Sequence, residues 1–249
     1  YGLRVTGPAA KTGDILIEST GTILVEGNNS YGVSVEAPLV GNLTNLGNIS
    51  VTGDNTRGVS VTGPVTGNVS VLGSVTARGE NAVAVAVEGA VDGRLAIQGT
   101  ITSTGYRYTT RPNSKPTTGT VPAETLFLEN LDADDLLQGG PAVRIGGNVA
   151  KGVLFDAGPA YSAAGIEGDD DADGVKNGDE DDDGDGVKNR EDSDRDGDGL
   201  PDASEGTAKI TSFGAAPAVV VGSATNSVTL GVAGTGANAN GFINRGEIF

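Results

Sequence analysis

The sequence predicts an all-β fold, a right-handed parallel β-helix in which short strands stack coil upon coil. Two observations predict it. A 26-residue repeat runs without insertion from residue 21 to residue 98, and within each copy β-branched residues alternate with polar ones in three short runs. The fixed period indicates stacked units that cannot bury an apolar face alone, and the alternation indicates strands. A glycine opens each copy, at Gly21, Gly47, Gly73 and Gly99.

Each copy is expected to hold strands that start near its second, twelfth and twenty-second residues. Equivalent residues of successive copies should then form inward columns about 4.8 Å apart. Two such columns are Val33, Val59 and Val85, and Ile23, Ile49 and Val75. Glycine at the corners supplies the positive φ angles of tight turns. An antiparallel sandwich also fits regular strand spacing, but the uninterrupted repeat favours the β-helix.

The composition limits the kinds of chemistry that the side chains can perform. The 249 residues include no Cys, Met, Trp or His, and the formal net charge is −17. Without His and Cys the chain lacks the usual general bases, thiol nucleophiles and zinc ligands, so we expect no enzyme activity. The negative charge argues against binding to nucleic acid or to anionic lipid.

Five parts follow one another along the chain. They are β-helix coils at 1–105, a Thr/Pro-rich loop with a short helix at 106–140, a further coil at 141–158, an acidic calcium-binding insertion at 159–206, and continuing coils at 207–249. Tyr1–Val5 resembles Tyr31–Val35, and Asn244–Ile248 resembles Asn45–Ile49. The chain is therefore expected to begin and end inside repeats of a longer protein.

The acidic block at 169–205 contains 17 Asp and Glu against 4 Lys and Arg. It divides into three loops with the spacing of calcium-binding loops: loop one at 169–180, loop two at 181–192 and loop three at 194–205. Calcium takes six to eight oxygens, with glycine at position 6 for a sharp bend and a backbone carbonyl at position 7. A solvated acidic linker would not keep glycine in register three times.

The predicted ligands occupy positions 1, 3, 5, 7, 9 and 12 of each loop. In loop one they are Asp169, Asp171, Asp173, Val175, Asn177 and Glu180. In loop two they are Asp181, Asp183, Asp185, Val187, Asn189 and Asp192. In loop three they are Asp194, Asp196, Asp198, Leu200, Asp202 and Glu205. We therefore predict about three Ca²⁺ ions, and a block that is disordered without them.

The loops are not EF-hands, because loop two begins directly after Glu180 and leaves no room for flanking helices. The block resembles thrombospondin type 3 calcium repeats, in which acidic loops wind around a row of ions. The chain as a whole resembles passenger regions of bacterial autotransporters of the alphaproteobacterial type. The matching segments are Leu131–Val143, Gly146–Pro159 and Thr211–Ser223, together with the glycine-bounded coils.

The resemblance implies an exported protein of the Gram-negative cell surface, anchored in the outer membrane by a C-terminal β-barrel that would lie beyond this sequence. The predicted function is a calcium-stabilised structural or adhesive stalk. The expected partners are a surface or glycan ligand, and either self-association through coil ends or continuation of the same chain. Two alternatives remain open. One is a self-assembling extracellular filament or surface-layer subunit, and the other is a β-helix enzyme acting on polysaccharide.

Overall fold

The computed structural model describes residues 1–105, 137–157, 167–168, 174–181, 186–195, 206–222, 227–233 and 239–249. These residues form short β-strands and a 3-10 helix at Asn177–Asp179. Nearly all of the strands belong to three long parallel sheets, and strands that are neighbours in a sheet are distant in sequence. No helix among the described residues has the length and apolar character needed to cross a membrane.

Sheet one has six strands in the order β1, β5, β9, β12, β15 and β18. Their bounds are Leu3–Val5, Tyr31–Val35, Arg57–Val61, Val83–Val87, Val143–Ile145 and Val219–Val221. Sheet two has six strands in the order β3, β7, β10, β13, β16 and β19. Their bounds are Ile15–Ile17, Leu43–Asn45, Val69–Val71, Leu95–Ile97, Val153–Phe155 and Phe242–Asn244.

Sheet three has six strands in the order β4, β8, β11, β14, β17 and β20. Their bounds are Thr22–Glu26, Asn48–Thr52, Ser74–Arg78, Thr100–Thr104, Lys209–Ser212 and Glu247–Ile248. The strands β2 (Lys11–Thr12) and β6 (Leu39–Val40) form a small fourth pair. All of these strand pairs are parallel, so the chain passes through the sheets in turn, an arrangement consistent with a parallel β-helix.

The core lies between the sheets and includes the predicted columns. Val33 pairs in register with Val59, and Val59 with Val85. Ile23 pairs with Ile49, and Ile49 with Val75. Apart from Ile23, which is partly buried at the sheet edge, these side chains are buried in one continuous cluster. The predicted columns and their strand positions are confirmed.

A further inward column was missed by the sequence analysis. Leu39, Val65, Val91, Val149 and Leu230 are joined by successive parallel bridges. Except for Leu39, each is an isolated bridge residue outside any strand, so the signal of alternation is absent there.

The corner glycines serve two different purposes. Gly27, Gly53 and Gly79 have φ angles of 126°, 141° and 139°, as predicted for tight turns. The glycines that open the copies are selected by space instead. A Cβ on Gly73 would lie 2.1 Å from the carbonyl oxygen of Gly47 in the neighbouring coil. Here the expectation of positive φ was wrong, and the close approach of two backbones is the reason for glycine.

Both insertions leave the stack in register. Val85 pairs with Val143 across the first insertion, and Ile101 pairs with Ile210 across the acidic one. The strands β17 and β19 lie within 207–249, the segment in which continuing coils were expected. Most of the first insertion, with its predicted helical turn, lies outside the described residues.

The outward faces of the sheets differ in exposure. On sheet one Ser60 and Ala86 are buried, and on sheet two Ser70 and Ala96 are buried, although alternation along the strands turns these side chains outward. On sheet three the equivalent Thr76 is partly exposed.

Candidate metal site in the acidic insertion

The acidic insertion is fixed to the stack by Asp156, the residue after β16. Its backbone carbonyl accepts a hydrogen bond from the amide of Ala208 at 2.6 Å, where the chain returns to the coil. Its carboxylate is buried, accepts the amide of Ala157 at 2.8 Å, and has both oxygens 3.5 Å from Nη1 of Arg245. The two ends of the insertion are thereby held side by side.

Glycine bends the chain at the same position of two successive loops. Gly174 and Gly186, at position 6 of loops one and two, have φ angles of +93° and +96°. Among the described residues nothing would contact a Cβ at either position, so the left-handed backbone conformation is the reason for glycine. The bend predicted from the motif is present in both loops.

The described parts of loops one and two make the same backbone hydrogen bonds twelve residues apart. The amide of Asn177 donates to the carbonyl of Gly168, and the amide of Asn189 donates to that of Glu180, both at 2.8 Å. Similarly, Asp179 donates to Lys176 in the first loop at 2.7 Å. Glu191 repeats that bond with Lys188 at 2.7 Å. Local sequence repetition has therefore produced two equivalent turns.

The two residues at position 9 are buried between the loops. Asn177 is 2% exposed and Asn189 is 4% exposed. The side-chain amide of Asn189 donates to the backbone carbonyl of Asn177 at 2.7 Å. Because the NH₂ group is used for this contact, the remaining polar atom of the Asn189 side chain is its oxygen, the type of atom that calcium binds.

The carboxylates at two further ligand positions contact backbone amides. Oδ2 of Asp181, at position 1 of loop two, accepts the amide of Gly186 at 3.0 Å. Oδ1 of Asp192, at position 12, accepts the amide of Asp194 at 2.9 Å. Each bond ties a carboxylate at a ligand position to a nearby backbone amide. A carboxylate that accepts one hydrogen bond still has lone pairs for further contacts.

The donor set offered by the described ligand positions fits a calcium ion. It consists of carboxylate, amide and backbone carbonyl oxygens from Val175, Asn177, Glu180, Asp181, Val187, Asn189, Asp192 and Asp194. Hard cations such as Ca²⁺ prefer such oxygens. Within the described parts of the chain, however, no three carboxylates come together as a cation site. The other predicted ligands lie outside those parts: Asp169, Asp171, Asp173, Asp183, Asp185, Asp196, Asp198, Leu200, Asp202 and Glu205.

Sequence reasoning missed a set of ion pairs beside the ligand positions. Lys176 contacts Glu167, and Nζ of Lys188 lies 3.2 Å from Oδ1 of Asp179. Arg190 reaches both carboxylates, at 3.5 Å for Glu167 and 3.0 Å for Asp179. The sequence does contain a signal for these ion pairs, because both lysines occupy position 8 of their loops.

These cations lower the pKa of the carboxyl groups they contact. The hydrogen bond and charge of Lys176 hold the pKa of Glu167 below its usual value, and Arg190 adds to the effect. The hydrogen bond from Lys188, with the charge of Arg190, does the same to the pKa of Asp179. A nearby positive charge favours the ionised carboxylate, so both groups stay charged into the acidic range.

No protein-family model matches the chain, and neither the curated proteins nor the solved structures contain a match.

Proposed function

We propose that this chain is part of a calcium-stabilised structural or adhesive stalk of a Gram-negative cell surface. The proposed scaffold is a right-handed parallel β-helix with coils of about 26 residues. The spacing is supported by corner contacts between residues 26 positions apart, such as Asn42 with Asn68 and Asn68 with Arg94. In both contacts the side-chain oxygen of Asn accepts a backbone amide at the same corner of the next coil.

The scaffold suits a projecting role. Its buried apolar cluster extends from Ile17 in an early coil to Ile210 beyond the acidic insertion. In a stack of this kind each coil contacts only its neighbours, so length can be added without rebuilding a core. The stalk can therefore carry other segments at a distance from its point of attachment.

The observation that carries the calcium proposal is the repetition of one loop geometry in loops one and two. Position 6 is a left-handed glycine in both, and the position 9 asparagines are buried in equivalent turns. The ligands would be the residues predicted from the sequence, and calcium would supply positive charge among carboxylates that otherwise repel one another. We infer about three ions, one for each loop.

A location outside the cell accords with the chemistry of the block. Extracellular calcium modules bind at about 10⁻⁴ to 10⁻³ M, so their occupancy follows the medium and not a cytosolic signal. At free calcium ten times the Kd, each site stabilises the bound form by roughly 1.4 kcal/mol. The proposed partners are a surface or glycan ligand and further coils of this chain or of another chain.

Calorimetric titration with calcium tests the proposal, with an EGTA-treated sample as the blank. We expect binding in the range given above, and slower proteolysis of the acidic block with calcium than with EGTA. Asp181→Ala should weaken binding, because it removes the first ligand of loop two. Asp92→Ala, which removes an exposed carboxylate on a coil, should leave it unchanged. No binding heat, together with equal cleavage in both buffers, would reduce the block to a solvated linker.

A separate experiment tests the proposed location. An antibody raised against the coils should label intact cells, and protease added to those cells should remove the label. Labelling only after the cells are opened would contradict a surface stalk while leaving calcium binding unaffected.

A further inference from the structure

Arg190 makes contacts that link loop one, loop two and the segment that precedes them. Its backbone amide and its side-chain Nε both donate to the carbonyl oxygen of Gly178, each at 3.1 Å. Its guanidinium also reaches Oδ2 of Asp179 at 3.0 Å and Oε1 of Glu167 at 3.5 Å. One side chain of loop two therefore holds a turn of loop one and the residue two positions before that loop.

The lysines repeat this arrangement with the twelve-residue period of the loops. Lys176 of loop one contacts Glu167, and Lys188 of loop two contacts Asp179 in the equivalent way. Each of the two carboxylates thus contacts one lysine and shares Arg190. Single exposed ion pairs contribute little, but a network anchored by arginine with several partners fixes geometry more firmly.

The carboxylates used in this network are not the predicted calcium ligands. Glu167 precedes loop one, and Asp179 occupies position 11, between the ligand positions of Asn177 and Glu180. The block has only 4 basic residues, and three of them contact these two carboxylates. The turn that carries the two ligand positions Asn177 and Glu180 is therefore held in place by carboxylates and cations that are not themselves predicted ligands.

We propose that Arg190, together with Lys176 and Lys188, is a clasp that sets loop one against loop two and thereby positions the calcium ligands of both loops. The inference rests on the calcium binding proposed above, but the clasp itself acts without metal. Groups that orient metal ligands from the outer shell typically change metal affinity by about 10- to 100-fold when they are removed. Arg190 is accordingly a positioning residue and not a ligand.

Three variants and a matched control test the clasp in the full chain. Arg190→Ala and Asp179→Asn should each weaken calcium binding by roughly 10-fold. Arg190→Lys should recover only part of the loss, because a compact ammonium lacks the planar fork of donors with which the guanidinium reaches acceptors on different sides. Glu191→Gln is the control. It removes the same charge as Asp179→Asn, from position 11 of loop two, where Glu191 has no ion pair among the described residues.

Limited proteolysis of the block in EGTA supplies a readout that does not depend on calcium. Arg190→Ala and Asp179→Asn should be cut faster than the wild type and Glu191→Gln. If the wild type binds calcium and all variants match it in affinity and cleavage, the clasp is wrong and calcium binding stands. If the wild type binds no calcium, the proposed function fails in that part, and the EGTA cleavage rates alone decide whether the clasp exists.

Discussion

Asn189 donates its side-chain amide to the backbone carbonyl of Asn177 at 2.7 Å, joining the ninth residues of two successive acidic loops. Both side chains are almost fully buried although the block around them is highly charged. The buried contact gives the insertion a small polar core of its own. The apolar core of the coils is formed in the same way, by equivalent residues of successive repeats that lie in register.

Val59→Asp should unfold the coils around β9. Val59 is 1% exposed and lies in the column between Val33 and Val85, so the carboxylate would be buried without a partner. We expect a loss of about 4 kcal/mol or more in the free energy of unfolding, measured by urea denaturation followed by circular dichroism. Thr76→Asp on the partly exposed face of sheet three is the control and should have a small effect. Equal losses in both variants would contradict the assignment of inward and outward faces.

Gly73→Ala should separate two neighbouring coils at one corner. The added Cβ would lie 2.1 Å from the Gly47 carbonyl oxygen, and a backbone atom cannot rotate away. The expected cost is about 3 kcal/mol, seen as a lower thermal midpoint. Gly146→Ala is the matched control, since its Cβ would meet only Glu88 at 3.6 Å. That variant should change stability by at most about 1 kcal/mol.

Asn45→Val should stabilise the protein. Asn45 is 1% exposed, and its side-chain oxygen Oδ1 has no hydrogen-bond partner in the part of the chain that the structure describes. Val71 occupies the same place in the next strand, so valine fits the column. Removing the buried orphan oxygen should gain about 1 kcal/mol, after subtraction of the bond that Nδ2 makes to Gly47 at 3.3 Å.

The comparison variant for Asn45 is Asn244→Val. Asn244 makes the equivalent bond to Gly246 at 3.4 Å but is exposed. This variant should give no gain in urea denaturation. A loss of stability in Asn45→Val, larger than that in Asn244→Val, would show that the polar group at this corner is needed.

Glu36 should contribute to the acid sensitivity of the coils. Its carboxylate accepts two hydrogen bonds from Arg4, each at 2.9 Å, and this contact lowers the pKa of Glu36. Because the pKa is lowered in the folded state, the stabilisation is present above the unfolded value of about 4.3 and is lost as the pH falls through the folded value.

The pH dependence of the thermal midpoint measures this contribution. Glu36→Gln should flatten the decline of the midpoint below about pH 4.3 relative to the wild type. Glu26→Gln, at an exposed residue with no ion pair among the described residues, should leave the profile as it is. Identical profiles for the wild type and Glu36→Gln would show that the pair with Arg4 does not form in solution.

The parallel stack could be predicted from the sequence, because a repeat of fixed length places equivalent residues of successive coils side by side. Val33, Val59 and Val85 could be assigned to one inward column from their spacing alone. The glycines of the acidic loops could be assigned in the same way, since the sharp bend at position 6 is a local property of the backbone. The prediction of the column uses the constant offset between copies. The prediction of the glycines uses a local requirement of the backbone that recurs with the loop motif.

Other contacts became apparent only in the folded chain, because the repeat shows which residues are equivalent but not how closely two backbones approach or which single residues face inward. The bridged column from Leu39 to Leu230 has one residue per coil and no alternation to reveal it. Glycines that open the copies, such as Gly73, are required because the backbone of the neighbouring coil lies too close for a Cβ, and not because of their own φ angles. The pairs that Arg190 makes with Glu167 and Asp179 depend on how loop two lies against loop one. In each case the physical reason is the distance between atoms in the folded chain, which the period of a repeat does not give.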